Sequence, residues 1–374
     1  MIALGAVGSI ASTAVGAGQR PWTPRACDDE AGSRVVAARS AAPVEPSDSR
    51  LEAWYRLDPQ LDRSGALEGQ RLGLGIGGDR RSNRTMELPP ESFAAGPFGR
   101  IVLVGADDGS ITHLEAFDVT GECSWSLAEE SAVIRRATID PTGETIYEMR
   151  VDRATREDLG IWARPLDGTL PAVRILEPIG MDDRFGRTYT TEFAWDVSGR
   201  TLAIQSCGEH ACRTRVIDPA GGATRTVAEP DLGTLLGLDG DVLVSYAVCP
   251  GLPCPIVAVD LESGARQVLA DAAAVAVVIA TPDGPRLVHE VIDESGVALR
   301  AVALDGSSAT DLGRLSDRLR LHATPGVAEA ATRVPPGWAL LAQEGRLPSD
   351  GPDAQTRLRH VPDGMTVQLD EVTR

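Results

Sequence analysis

Two stretches decide the fold: TIDPTGETIYEMRV…GIWARPLDG at 138–168 and FAWDVSGRTLAIQS…TRVIDPAGG at 193–222. In each, an Asp-x-x-Gly turn feeds a short apolar strand. A second strand then runs into another turn containing Asp and Gly. The chemistry suits hairpin punctuation, because Asp bonds its own backbone while Gly supplies a positive φ. The chain has a single asparagine, Asn83, so these turns stand in for the usual Asn-Gly hairpin.

Outward from these stretches the pattern repeats. Gly99 leads into RIVLVG and that unit ends at FDVTG, 117–121. LDG at 238–240 opens DVLVSY, which closes at VDLESG, 259–264. TPDG at 281–284 opens PRLVHEV, closing at LDG, 304–306, and PPG at 335–337 opens WALLA, closing at VPDG, 361–364. A weaker first member runs from Gly69 through RLGLGIGG to MELPPES at 86–92. Closing turns recur at about 40–60 residues, the spacing of four-stranded propeller blades. After each comes a further short strand, such as AVRILEP at 172–178 or ARQVLADA at 265–272. No stretch carries a long helical pattern, and the alanine-rich DAAAVAVVIA at 271–280 reads as a small-residue inner strand.

Runs such as Ile101–Val104 and Asp241–Ser245 are nearly continuously apolar, as expected of strands covered on both faces. One small sheet with two apolar faces is unstable alone. Radial stacking buries each face on the next blade and leaves only short outer edges. The expectation is an all-β, single β-propeller, with seven blades favoured and six the alternative. Two stacked β-sandwiches would not explain the recurrent turn pairs. The division read from the chain is 1–17 signal segment, 18–50 flexible N-terminal arm or linker and 51–374 propeller.

The units at 138–168 and 193–222 resemble the WD40-like repeats of the TolB-type β-propeller superfamily, in which a DPxG or SPDG turn precedes a strand. The resemblance covers roughly 95–370 and is clear only in these two units. It implies a propeller with no built-in chemistry, common in the bacterial cell envelope. Fold analogy by itself does not assign an activity. The Gly-His and Trp-Asp dipeptides of ordinary WD40 repeats do not recur at blade spacing; Trp195-Asp196 occurs once and out of place.

Compartment follows from two features. Residues 2–17 carry no charge and are too few to span a bilayer, which takes roughly 20. They suit the apolar part of a secretory signal cleaved after Ala17, although a basic leader is missing. Six cysteines include two C-x4-C pairs, CGEHAC at 207–212 and CPGLPC at 249–254. Each pair is flanked by strand-like runs, so Cys207–Cys212 and Cys249–Cys254 are expected as hairpin disulfides. Cys27 and Cys123 remain, and pairing them would pin the arm to the domain. A four-cysteine zinc site, the rival reading, needs two hairpin tips to converge. The disulfide reading points to an extracellular, periplasmic or envelope location.

Composition narrows function. All 36 cations are arginine against 54 acids, a net charge of −18. Lysine chemistry is excluded, and nucleic acid is an unsuitable partner for so acidic a chain. There is no G-x-S-x-G elbow. His113, His210, His289, His322 and His360 show no metal-ligand spacing. The Asp-x-x-Gly turns are one residue too long for a sialidase Asp box. Asp107-Asp108 and Asp182-Asp183 are the acidic pairs a calcium ion would use, but neither lies in a calcium-loop pattern. No cofactor, metal site or catalytic constellation is expected. The expected role is non-catalytic recognition of a protein, peptide or glycan by a monomer with no transmembrane span. Its binding residues are drawn from one loop face: Asp182, Asp183, Arg184, Arg187, Glu209, His210, Tyr246 and His322. Two alternatives are a hydrolase or lyase with carboxylates and arginines at the channel mouth, and a structural component of an envelope assembly.

Non-reducing peptide mass spectrometry of the natively expressed protein should return linked 207–212 and 249–254 peptides. Other linkages, or free thiols throughout, would remove the argument for an oxidising compartment.

Overall fold

A computed structural model describes residues 25–26, 53–61, 67–76, 79–98, 101–119, 123–140, 143–178, 190–196, 200–207, 212–219, 222–227, 232–281, 283–315, 319–321, 331–333, 338–343, 356–361 and 366–368. These residues form seven small sheets, each a four-stranded antiparallel meander. One carries a fifth strand: Arg25–Ala26 pairs in parallel with 123–124 at the outer edge. The fold is all-β, and each sheet is one blade of a propeller.

We number the blades along the chain. Blade 2 has strands Ser92–Phe98, Ile101–Asp107, Thr112–Asp118 and Cys123–Glu130. Blade 3 has Val133–Ile139, Thr145–Val151, Asp158–Pro165 and Val173–Leu176. Blade 4 has Thr190–Trp195, Leu202–Cys207, Cys212–Asp218 and Ala223–Val227. Blade 5 has Leu232–Asp239, Val242–Ala247, Cys254–Asp260 and Arg266–Ala273. Blade 6 has Ala276–Ile279, Arg286–Asp293, Gly296–Ala303 and Ala309–Arg314. The first strands of blades 2 to 6 touch in succession, so they surround the central axis.

Closure takes an unexpected route. Blade 7 consists of Leu319–Leu321, Trp338–Gln343, Thr356–His360 and Thr366–Gln368. Between its first and second strands the chain contributes Ala331–Arg333 to blade 1, beside Ala53–Leu61, Leu67–Ile76 and Asp79–Leu88. The first and last blades are thus interleaved. The stretch 316–333 contains two inner strands, one for each of these blades. The described part of RLGLGIGG, 71–76, lies in the third strand of its blade and does not open it. The run 271–280 is also divided, between the outer strand of blade 5 and the inner strand of blade 6.

The core is a set of interfaces between blades. In the second strand of blade 2, Ile101 and Leu103 pack toward blade 3, with Ile134, Ala137 and Ile146. Val102 and Val104 pack the other way, with Leu72 and Leu74 of blade 1. Alternation along a strand sends successive side chains to opposite faces, so an uninterrupted apolar run serves two interfaces at once. Leu202 and Ile204 face blade 3 while Ala203 faces blade 5. Likewise Leu287 faces blade 5 and Val288 faces blade 7. Each fully buried Leu, Ile or Val among them contributes about 1.5–3 kcal/mol.

The meander fixes which connections share an end. Turns joining first to second and third to fourth strands lie on one face, here called the turn face. Hairpins joining second to third strands, and crossovers to the next blade, lie on the other, the loop face. The Asp-Gly turns fall on the turn face. There Asp140 Oδ1 accepts from Glu144 N at 2.8 Å, and Asp196 Oδ1 accepts from Arg200 N at 2.7 Å.

Packing at Gly105 is close enough to test. A Cβ there would lie 2.0 Å from Phe93 Cε1, and Phe93 is buried between blades 2 and 3. Gly105→Ala should lower the denaturation midpoint by the equivalent of about 1–3 kcal/mol. An unchanged midpoint in urea would show that the interface repacks freely.

Candidate functional site

The loop face of blades 2 to 5 collects most of the charged and cross-linked features. Cys207 and Cys212 pair directly across the blade 4 hairpin, with a Cα–Cα distance of 4.0 Å, and form a disulfide. Cys249 and Cys254 form a second disulfide across the neighbouring hairpin of blade 5, with Cα atoms 5.9 Å apart. Cys123 is also disulfide-bonded; its expected partner, Cys27, lies outside the described residues. Val248 and Leu252, both more than half exposed, flank and occupy the second cross-linked loop. Short cross-links of this kind hold hairpin tips in place, and stiff loops bind at lower entropic cost.

Beside them, the hairpin 151–158 of blade 3 reaches across to blade 2. Arg153 makes a bidentate pair with Asp107, at 2.7 and 2.8 Å, and donates to Ser131 O at 3.0 Å. Asp107 also accepts from Thr112 Oγ1 at 2.6 Å and from Gly109 N at 2.8 Å. Burial pushes its pKa up, but the Arg153, Thr112 and Gly109 bonds outweigh burial and hold it below the ordinary value. Arg156 has a left-handed backbone, φ 61°, and bonds both oxygens of Glu91 at 3.2 Å. Asp108 accepts from its own loop, and His113 Nε2 lies 3.2 Å from its Oδ2. The Asp107-Asp108 pair is therefore engaged by arginine, histidine and loop N–H groups.

A second network lies between blades 2 and 3. Glu148 is fully buried and is held by Arg150 Nη2 at 2.7 Å and by Arg164. Both arginines also reach Glu130, at 2.9 and 2.6 Å. Two guanidiniums and two carboxylates balance, and Arg150 stacks over the Trp162 ring at 4.6 Å. Nearer the axis, Arg136 of blade 3 sits 3.8 Å from Glu192 of blade 4. Desolvation raises the Glu192 carboxyl and Arg136 opposes it, with burial prevailing. The sequence does not mark these residues out, because Arg and Glu are abundant throughout. Only register shows that 130, 148, 150 and 164 converge.

Of the binding residues read from the sequence, Tyr246 is the one described. It is buried with Ile256, Leu287 and other side chains between blades 5 and 6. Its hydroxyl reaches Ala274 O at 3.5 Å, and burial raises its pKa to about 12. Asp182, Asp183, Arg184, Arg187, Glu209, His210 and His322 lie outside the described residues. Among the described residues, no group of three or more His, Cys, Asp or Glu is arranged to hold a metal ion.

Loss of Arg153 would leave the Asp107 carboxylate buried without its main partner. Because the folded pKa of Asp107 is depressed, its contribution is complete above the unfolded carboxylate pKa, about 3.9, and fades as pH falls through the folded value. Arg153→Ala should cost about 2–3 kcal/mol near neutral pH. The difference from wild type should shrink in acid. A gap that stays constant from neutral to acid pH in thermal unfolding would contradict this account.

No protein-family model and no curated protein matches this chain. Solved structures do. The β-propeller domain of the Trilobed protease from Pyrococcus furiosus matches with a TM-score of 0.53 at 10% identity, covering 85% of this chain and 92% of that one. A prolyl endopeptidase structure matches with a TM-score of 0.54 at 13% identity, over 90% of this chain and 53% of its own. TolB from Acinetobacter baumannii matches with a TM-score of 0.47 at 12% identity, over 70% and 64% respectively. The chain thus spans about half the length of the prolyl endopeptidase and less than two thirds of that TolB. At these identities the likeness concerns architecture, and this chain shares the β-propeller fold of peptidase-type propeller domains.

Proposed function

We propose that this protein is an extracytoplasmic recognition propeller that binds a protein, peptide or glycan on its loop face without chemistry of its own. The observation that carries this reading is the pair of disulfides on adjacent hairpins of one face. Disulfides persist in oxidising compartments, which supports a secreted or envelope location. They also cross-link their hairpins, and the Cys249–Cys254 loop presents Leu252 to solvent beside Val248. Apolar side chains on a stiffened, exposed loop suit a contact surface. Ion pairs from Arg153 and Arg156 further tie blade 3 to blade 2 on the same face.

A second reading keeps a specific support. Glu192, with a raised pKa beside Arg136 near the axis, is the type of carboxyl a hydrolase or lyase would use as a general acid. Turnover of a glycan or ester panel that disappears in Glu192→Gln would favour catalysis.

A photo-crosslinking residue at position 252 should give adducts in the native envelope fraction, whereas one at position 200, on the turn face, should not. Adducts at neither position, together with Glu192-dependent turnover, would overturn the recognition reading.

A further inference from the structure

We propose that Arg135 is the recognition point for a free carboxylate of an extended peptide, at the loop-face end of the central axis. This deepens the recognition reading above and rests on it.

The geometry starts from the strand register. Along the inner strand of blade 3, Met149 pairs with Arg136 and Arg150 pairs with Ile134. Arg135 is skipped, so it is the extra residue of a β-bulge. A bulge interrupts alternation and re-aims one side chain. The packing records that interruption. Ala137 and Ile139 face blade 2, and so does Ile134, although it is an odd number of residues away from both. Arg135 thereby leaves both blade interfaces and is exposed, on a strand where Val133, Ile134, Ala137 and Ile139 are all buried.

Its surroundings distinguish it from an ordinary surface arginine. Among the described residues no hydrogen bond or ion pair reaches the Arg135 guanidinium, whereas Arg153 and Arg156 are each committed to a carboxylate. Arg136 faces Glu192. Arg135 is open to solvent but hemmed in by protein. Desolvation lowers its pKa, Glu91 and Asp107 raise it, and Arg156 lowers it again. A guanidinium that is accessible, partly desolvated and without a partner gains from a bidentate carboxylate more than a fully hydrated one does. Arg153 is paired with Asp107 and Arg156 with Glu91, so among these three arginines Arg135 is the one whose guanidinium is not matched to a carboxylate.

An extended peptide is the carboxylate source that fits best, because its chain can reach from Arg135 across the same face to the stiffened blade 5 loop, which offers exposed apolar contacts at Val248 and Leu252. The test uses a random heptapeptide library with free C-termini, panned on the full chain and on Arg135→Gln, with Arg200→Gln on the turn face as a control. Enriched peptides are then measured as free acids and as amides. The expected result is enrichment of acidic residues or of a particular C-terminus, with binding weakened about tenfold or more by Arg135→Gln or by removal of the carboxylate. Arg200→Gln should leave affinity unchanged. Enrichment without acidic preference, equal in wild type and Arg135→Gln, would overturn the role of Arg135 and leave loop-face recognition standing. No enrichment at all would overturn peptide recognition and this inference with it. Circular dichroism and thermal unfolding establish that Arg135→Gln is folded. If it is not, the comparison of free acid with amide on the wild-type chain decides.

Discussion

Burial of the middle strands on both of their faces is the constraint on which this molecule depends. Ile101 and Leu103 leave water only because blade 3 is present, and Val102 and Val104 only because blade 1 is present. The same holds for Leu202, Ala203 and Ile204 between blades 3 and 5. No blade can satisfy its side chains alone, so the sheets must stand around an axis. The interleaving of 331–333 into blade 1 extends the same logic. The strands 53–61, 67–76 and 79–88 still lack an inner member, and a segment from the far end of the chain fills that place.

The repeat was legible because its signals are local. Asp140 and Asp196 cap their turns through their own side chains, and the strands they open carry adjacent apolar residues, Ile146-Tyr147 and Leu202-Ala203-Ile204. Both facts can be seen in one dimension. The cysteine pairs were legible for the same reason: four intervening residues suffice to place Cys207 opposite Cys212. Closure was not legible. Ala331–Arg333 is a three-residue strand with no turn signal of its own, and its partner lies some hundreds of residues away. The arginine networks were also invisible, since Glu130, Glu148, Arg150 and Arg164 belong to three strands and resemble the many other charged residues of the chain. Tyr246 illustrates the opposite difficulty. Its place near a hairpin is readable from the sequence, but its burial depends on blade 6, which packs from outside its own unit.

Polar contacts concentrate where apolar packing thins out. Near the loop face, Gln70 of blade 1 donates to Pro90 O at 2.6 Å and Ser92 O at 2.9 Å, in the crossover to blade 2. Gln205 of blade 4 donates to Gly233 O at 2.8 Å and accepts from Leu235 N at 2.7 Å, on the inner strand of blade 5. Glu290 of blade 6 accepts from Leu321 N of blade 7 at 2.6 Å. Arg215 of blade 4 donates to Glu177 O, at the exit from blade 3, at 2.7 Å. In each case a buried polar side chain satisfies backbone groups of a neighbouring blade, where inner strands begin or outer strands end. An unpaired backbone group there would cost about 1–3 kcal/mol.

These ties bear on function through rigidity. Where the loop face is described, side chains of Gln70, Gln205, Glu290 and Arg215 tie one blade to the next, and disulfides and the Arg153–Asp107 pair cross-link its hairpins, so these parts have little freedom to reorganise around a ligand. Selectivity on such a surface comes from donors already in place and not yet satisfied. Most of the polar groups described on this face are consumed in holding blades together. Arg135 is set apart by a bulge in an otherwise regular strand, and the polar ladder that orders its neighbours does not reach it. A frame this firmly bonded gives the position of one free guanidinium its meaning, because the guanidinium stays where the frame puts it.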